Sequence, residues 1–498
     1  MTQTAKPEIA RSRWLALYVL CGGMLMIVLD ATIVNVALPT IKRDLGFSQS
    51  NLAWVVNAYL IAFGGLLLLA GRIGDLIGQR RIFLIGLSVF TTASLLCAIS
   101  QTQGMLIGAR FVQGAGGAFA SAVILGMIVT MFPEPREQAK AIGVFSFVAS
   151  AGGSIGLLAG GVLTQAINWH WIFFVNLPIG VATGLLALRL VEDRKGIGLG
   201  QGADIPGAVL VTSGLMLGVY TILDVNKQGW GSAHTLGLGA VSIALVVAFV
   251  VRQSRIVNPL MPLRLFRSRN VVGANAVMGL LVVGFFGMFF LGALYLQGIL
   301  GYSALGVGLA FLPASLVMGT LSLGFSERLI MGIGPKRALL AGLGCACGGL
   351  LLFARAPVDG TYVTDVLPVM LLLGFGAGLA FPSLMTLAMS GVEPSDSGLA
   401  SGLVNTTVQV GGAIGLAVLA TLASEHTNAL RSGGESAAAA LTAGYHLAFL
   451  IGAALVGAAI LVGLVVVRSE RPVPAGAEAG PRHETPIGEP AHAEAGYR

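Results

Sequence analysis

Asp30 stands inside an apolar stretch, 16 positions after Trp14. A carboxylate near the centre of a bilayer costs about 2.5–3.5 kcal/mol on insertion scales, so it needs either a partner or a use. The chemistry open to it is the uptake and release of a proton, because burial favours its neutral form and an approaching cation favours the anion. Arg110 supplies such a cation within an apolar stretch of its own. A helix rises 1.5 Å per residue, which sets Asp30 about 24 Å from the start of its run and Arg110, entering from the opposite side, at a similar depth. Gln113 follows Arg110 by three positions and shares its helix face. Asp30, Arg110 and Gln113 therefore read as a proton-coupling site, with a permanent ion pair and interhelical hydrogen bonds as the competing reading.

A second charged cluster, Gly71, Arg72, Asp75, Gly78, Arg80 and Arg81, crowds a short glycine-rich turn between two apolar runs. Gly152, Gly156, Gly160 and Gly161 place small residues along one run at the spacing that lets helix backbones approach closely. Such a run serves close packing and, in addition, a gate between conformations. Asn35, Asn57, Tyr59, Gln297, Asn405 and Gln409 are polar groups within apolar runs and candidates for a substrate cavity, with interhelical hydrogen bonding as the alternative for each. No metal site is expected. The six histidines are scattered without ligand spacing, and the four cysteines lie in apolar runs as packing residues.

These groups must be held by membrane helices. Of the 498 residues 55% are hydrophobic and only 10% charged, against about 25% charged in soluble domains. The apolar runs extend for roughly 20 residues without a period of two, which excludes an outer-membrane barrel. About fourteen spans are expected, near 14–38, 52–70, 82–100, 104–131, 139–165, 170–190, 205–224, 235–251, 271–298, 304–325, 337–354, 366–390, 397–423 and 443–467. With both termini in the cytoplasm, alternate loops and tails collect 23 Lys and Arg and the opposite loops five, leaving Arg110 in a span. The net charge of +7 is thus a topology signal, and no nucleic acid is expected as a partner. The five tryptophans fall at span ends, as in an aromatic belt.

An internal repeat orders the spans. Glu134-Pro135 with Gly152-Gly153-Ser154-Ile155-Gly156 recurs 259 positions later as Glu393-Pro394 with Gly411-Gly412-Ala413-Ile414-Gly415. Gly78-Gln79-Arg80-Arg81 recurs 256 positions later as Gly334-Pro335-Lys336-Arg337. The offset exceeds six spans by two, so the expected order is six, two inserted, six. The divisions are 1–13, a cytoplasmic N-terminus; 14–195, a six-helix bundle; 196–268, two inserted helices and a linker; 269–467, a second six-helix bundle; and 468–498, a disordered cytoplasmic tail. Parallel repeats of this kind place the substrate at the midplane between halves.

The stretch Leu29-Asp30-Ala31-Thr32-Ile33-Val34-Asn35-Val36-Ala37-Leu38-Pro39 resembles the first-helix signature of the fourteen-helix drug:proton antiporter-2 family of the major facilitator superfamily. Gly71-Arg72-Ile73-Gly74-Asp75-Leu76-Ile77-Gly78-Gln79-Arg80-Arg81 is similar to the superfamily's cytoplasmic loop motif, and Arg110-Phe111-Val112-Gln113-Gly114 to its fourth-helix motif. Leu157 stands where the fifth-helix antiporter motif carries proline, His170 where the family usually has Arg, and Val408 where Arg is common. The resemblance covers about 14–467. It implies an all-α membrane protein of the major facilitator fold, with two six-helix bundles and two inserted helices. It also implies a conformational lock in which Asp75 pairs across the halves in one state and releases in the other.

The expected function is proton-coupled export of amphipathic drugs, antibiotics or toxic compounds by alternating access. The alternative is an exporter or importer of one endogenous metabolite. No enzyme activity and no cofactor are expected, since neither a catalytic cluster nor a GxxxxGK[ST] nucleotide loop is present. The partners expected are a small-molecule substrate, protons and the lipid bilayer, with the chain a multi-pass monomer in the cytoplasmic membrane.

Overall fold

Hydrocarbon offers no partner for a free backbone amide, so a chain this apolar must close its hydrogen bonds within helices. The computed structural model describes residues 7–193, 196, 198, 204–257, 259–261, 263–321, 332–390 and 397–468. The expected tail lies outside the described residues from position 469 onward, as does the copy of Glu134-Pro135 at Glu393 and Pro394.

Fourteen helices of 15 residues or more occur among the described residues. They are α1 (Pro7–Leu45), α2 (Trp54–Ile77), α3 (Gln79–Ala98), α4 (Gln103–Met131), α5 (Pro135–Ala166), α6 (Asn176–Leu190), α7 (Ile205–Gln228), α8 (Ala233–Arg255), α9 (Arg269–Gly298), α10 (Ala304–Thr320), α11 (Pro335–Phe353), α12 (Leu367–Met389), α13 (Ser397–Ser432) and α14 (Ala437–Val465). Twelve described stretches are long and apolar enough to span a membrane, and shorter apolar stretches lie in α5 and α10. Helix starts follow local chemistry. Thr102, Ser268, Ser303 and Ser436 each accept a hydrogen bond from the backbone N–H three residues on, which satisfies a donor that the first turn leaves free.

The repeat is visible in the backbone. Gly46 and Gly301 follow α1 and α9 with φ of 67° and 71°, and Gly78 and Gly334 precede α3 and α11 with φ of 112° and 89°. All four hold a left-handed conformation that glycine adopts without strain. The pairing of helices repeats as well. A Cβ on Gly86 of α3 would lie 2.8 Å from the Gly116 carbonyl of α4, and one on Gly342 of α11 would lie 2.8 Å from the Gly376 carbonyl of α12. In the same way α1 packs on α5, and α9 on α13.

The two sets of six meet where α5 packs on α10, α2 on α13 and α1 on α9. Between them in sequence, α7 and α8 form a hairpin whose inner helix lies on both α2 and α13. The N-terminal half of α7 rests on α2, where Ala208 joins Leu69 in a small core and a Cβ on Gly65 would lie 3.2 Å from the Cβ of Thr212. Its C-terminal half rests on α13. The Thr421 hydroxyl donates to the Ile222 carbonyl at 3.1 Å, and just beyond the helix Trp230 Nε1 donates to Glu425 Oε2 at 3.1 Å. Helix α8 exposes Leu236, Val241, Ile243 and Val247, an apolar face suited to lipid. At the other end of the hairpin, Asp204 caps α7 through the Gly207 N–H at 2.9 Å and accepts Arg252 Nε and Gln253 Nε2, each at 2.6 Å. Burial raises the pKa of this carboxyl, but the hydrogen bonds from Arg252, Gly207 and Gln253, with the Arg252 charge, outweigh it and hold Asp204 below its ordinary value.

One expectation about tryptophan does not hold for every residue. Trp171 and Trp230 are exposed at helix ends, but Trp169 is 2% exposed and donates to Asp44 Oδ2 at 2.7 Å. Its indole N–H is used to tie the segment before α6 to the end of α1, so it is no interfacial anchor.

Candidate functional site

Asp30 lies on the face of α1 turned toward α3, α4 and α6, with no exposed surface. Its carboxylate is held by three side chains. Arg110 Nη1 donates to Oδ2 at 2.5 Å, while Gln113 Nε2 and Asn176 Nδ2 both donate to Oδ1 at 2.8 Å. Two of the three donors share Oδ1, and the guanidinium places a positive charge against Oδ2.

Arg110 is 1% exposed and keeps further partners of its own. Its Nε donates to the Val55 carbonyl at 3.0 Å and its Nη1 to Gln113 Oε1 at 2.6 Å. The guanidinium carbon sits 4.3 Å from the Tyr59 ring centre and 5.7 Å from that of Phe173, within cation–π range of both. The arginine cage is thus built by α2, α4 and the one-turn helix Trp171–Phe174, with Asp30 as only one of its acceptors. Such an arrangement can house the cation while the acid changes state.

Ser94 of α3 lies under the amides. It accepts Gln113 Nε2 at 2.7 Å and Asn176 Nδ2 at 3.3 Å, and donates to the Phe90 carbonyl at 2.8 Å. Asn176 and Ser94 are the members of the network that sequence reasoning passed over. The available signal was a lone Asn at the start of a span, directly after the aromatic turn Trp171-Ile172-Phe173-Phe174. Both amide atoms of Asn57, the Tyr59 hydroxyl and Asn176 Oδ1 are buried with no hydrogen-bond partner among the described residues.

The charged turn lies elsewhere. Gly78 makes the bend between α2 and α3, and Arg80 donates to the Leu188 carbonyl near the end of α6. Arg81 pairs with Asp193 at 3.5 Å. Asp75 is exposed and accepts Gln79 Nε2 at 3.4 Å, a partner on its own side of the molecule. Arg72, Asp75, Gln79, Arg80, Thr130 and Glu192 line a cavity of about 350 Å³ there, with Gly71 preceding it on α2.

The glycines of α5 face two helices. A Cβ on Gly152 would lie 3.1 Å from Val28 of α1, and one on Gly156 would lie 2.9 Å from the Leu29 carbonyl. One on Gly160 would lie 2.7 Å from the Ile33 carbonyl. Gly161 turns to the other half, where a Cβ would lie 2.7 Å from the Leu305 Cα of α10. A Cβ on Gly308 of α10 would lie 2.6 Å from the Leu157 carbonyl of α5. With leucine at 157, α5 runs as one helix from Pro135 to Ala166.

The cavity candidates do not form one cluster. Asn35 turns back to the Ala31 and Thr32 carbonyls of its own helix at 3.4 Å, whereas Tyr59 lies against the arginine. Gln297, Asn405 and Gln409 belong to α9 and α13 in the second set. Gln297 Oε1 is buried without a partner among the described residues, and the Gln409 Cβ packs where a Cβ on Gly64 would stand at 2.8 Å.

Residues 20–416 match the Major Facilitator Superfamily. The chain is 38% identical over 466 residues, 92% of each chain, to the puromycin resistance protein pur8 of Streptomyces alboniger. It is 37% identical over 428 residues to the cephamycin export protein CmcT of Amycolatopsis lactamdurans, covering 86% of this chain and 87% of that one. A solved structure of a bacterial homologue of the human lysosomal transporter Spinster, inward-facing and unoccupied, superposes with a TM-score of 0.65 at 16% identity, over 93% of this chain and 97% of the other. The paired six-helix packing and the sequence match agree: this chain belongs to the Major Facilitator Superfamily, a family of multi-pass membrane transporters rather than enzymes.

Proposed function

We propose that the protein exports amphipathic antibiotics or related toxic compounds across the cytoplasmic membrane, driven by inward proton flow through Asp30, with both termini in the cytoplasm. The observation that carries this reading is the enclosed carboxylate of Asp30, 2.5 Å from an arginine that has other acceptors and two aromatic faces to remain on. The names of the two relatives, one for resistance to puromycin and one for export of cephamycin, support the substrate class and the outward direction.

A proton arriving at Oδ1 neutralises the carboxyl and weakens the bond from Arg110 Nη1 to Oδ2, and the guanidinium stays on the Val55 carbonyl, Gln113 Oε1 and the rings. The tie between α1 and α4 then loosens. Helix α1 transmits the change to α5 through Gly156 and Gly160, and α5 to α10 through Gly161 and Gly308. Asp75, Arg72 and the turn around Gly71 and Gly78 act as a lock that engages in one facing state and releases in the other. Substrate binds between the two halves, where Gln409 of α13 packs against Gly64 of α2, with Asn57, Tyr59, Gln297 and Asn405 as further candidates to contact it at different depths. Proton and substrate favour opposite-facing states, which is what couples their flows.

The test is puromycin transport by the purified full chain in proteoliposomes with an imposed proton gradient. Wild type moves puromycin only with the gradient, and Asp30→Asn loses the gradient dependence while its thermal stability shows that it is folded. Undiminished gradient-driven transport by Asp30→Asn would place the proton site elsewhere. No movement of puromycin or of other amphipathic antibiotics would favour a carrier dedicated to one metabolite.

A further inference from the structure

We infer that Asn176 is a positioning residue for the proton, an amide that serves both protonation states of Asp30 and sets the pH at which coupling operates. This inference rests on the reading of Asp30 as the proton site and names a residue that reading does not require.

The geometry begins with an asymmetry in the amide. Asn176 has no exposed surface, and its Nδ2 makes two hydrogen bonds, to Asp30 Oδ1 at 2.8 Å and to Ser94 Oγ at 3.3 Å. Its Oδ1 is buried and makes none among the described residues. A buried amide used only as a donor leaves an acceptor whose desolvation nothing offsets. Such an orphan at a site of proton exchange has a ready use. When Asp30 takes a proton, its carboxyl gains an O–H that needs an acceptor, and the nearest amide must stop donating to it. Rotation of the Asn176 amide by half a turn presents Oδ1 to that O–H and withdraws Nδ2.

Gln113 is less free to do this. Its Oε1 already accepts Arg110 Nη1 at 2.6 Å and the Cys97 thiol at 3.6 Å, while its Nε2 is shared between Asp30 and Ser94. Turning it would set its amide hydrogens against the guanidinium. Ser94 can follow the turn of Asn176 because its hydroxyl rotates and can donate as well as accept. Among the described residues the ionisable groups facing Asp30 are Arg110 from α4, Tyr59 from α2 and Cys97 from α3. Arg110 is the charged one among them, and Asn176 reports from α6.

The experiment uses the full chain in proteoliposomes and reads two things across a pH series: gradient-driven puromycin transport, and the infrared carbonyl band of the protonated carboxyl that Asp30→Asn removes. Replacing Asn176 by alanine deletes a donor to the anion, so the neutral acid persists to higher pH. The midpoints of both readouts move up by about one to two pH units, the equivalent of one hydrogen bond to a charged group. Asn176→Ser, which keeps a rotatable donor and acceptor at shorter reach, shifts them by less and keeps the inference testable should the alanine variant not fold. A purely structural Asn176 would lower thermal stability and leave both midpoints in place. Midpoints of Asn176→Ala and Asn176→Ser that coincide with wild type overturn the inference while leaving Asp30 as proton site. Retention of both the band and the coupling in Asp30→Asn instead overturns the underlying reading.

Discussion

The glycine at position 160 offers a quantitative test of how α1 is held. A methyl group added there would sit 2.7 Å from the Ile33 carbonyl and 3.0 Å from Ile33 Cγ1. Restoring ordinary contact requires α1 and α5 to part by roughly 0.7 Å, and overpacking of that kind costs about 1–3 kcal/mol. Alanine regains up to about 1 kcal/mol of helix propensity over glycine, so Gly160→Ala is expected to destabilise by about 0–2 kcal/mol net. Gly344 on α11 is the control. It is exposed with nothing within 4 Å of an added Cβ, so Gly344→Ala keeps only the propensity gain, about 0.5–1 kcal/mol. The two variants should therefore differ by about 1–3 kcal/mol in unfolding free energy, measured in mixed detergent–lipid micelles. The displacement also reaches Asp30, one turn before Ile33, and stretches donor distances that now run from 2.5 to 2.8 Å. Gradient-driven transport by Gly160→Ala falls more than its stability loss alone explains. Equal stability of the two variants would refute the close contact of α1 with α5, and wild-type coupling in a destabilised Gly160→Ala would refute the claim that this contact positions Asp30.

Arg110→Lys keeps a positive charge but cannot bond Asp30, Gln113 and Val55 together, so coupled transport should fall about ten- to hundredfold, as expected for losing one hydrogen bond of a charged group; turnover equal to wild type in proteoliposomes would count against the cage. Asp204 is held below its ordinary value by its partners, so the stability it lends is present at neutral pH and is lost as pH falls below about 4. Thermal melts of Asp204→Asn should accordingly show lower stability at neutral pH and a weaker loss on acidification than wild type. Paired Gly65→Cys and Thr212→Cys in a chain whose native cysteines are replaced should cross-link on mild oxidation in membranes, since the two Cβ positions are 3.2 Å apart; absence of the cross-link would mean that α7 does not lie on α2. Asp75→Asn, at an exposed position, should slow transport without altering thermal stability, and unchanged transport would remove the lock.

Much of the architecture was legible because hydrocarbon imposes a single solution on apolar runs of this length. Each expected span overlaps a helix among the described residues, but the bounds differ in both directions: α6 begins at Asn176 rather than 170 and α10 runs from Ala304 to Thr320, whereas other helices outrun their apolar stretches. Helix α1 is set to begin at 14 by hydropathy and begins at Pro7, and α13 continues to Ser432 rather than 423, because hydropathy marks the lipid core whereas backbone hydrogen bonding continues into polar turns. Depth placed Asp30 and Arg110 within reach of one another, and the structure supplies the helix faces that bring them into contact. Asn176 and Ser94 were not legible, since a single amide or hydroxyl in a span has the same appearance whether it bonds its own helix, as Asn35 does, or a carboxylate on another. Trp169 shows the converse. Its position at a span end fits an interfacial role, and only the three-dimensional neighbourhood reveals Asp44 as its partner.

The hairpin of α7 and α8 makes the two seams between the halves unequal. Where α5 meets α10, nothing further overlies the junction among the described helices, but where α2 meets α13, α7 lies across it like a diagonal stitch, sewn to α2 by its first half and to α13 by its second. Any rocking of one half against the other must slide along that stitch, so the relative motion is steered toward rotation about the stitched edge. A lipid-dissolved molecule approaching from the side meets a doubled wall there and a single pair of helices opposite. The surrounding bilayer therefore faces a transporter with a front and a back.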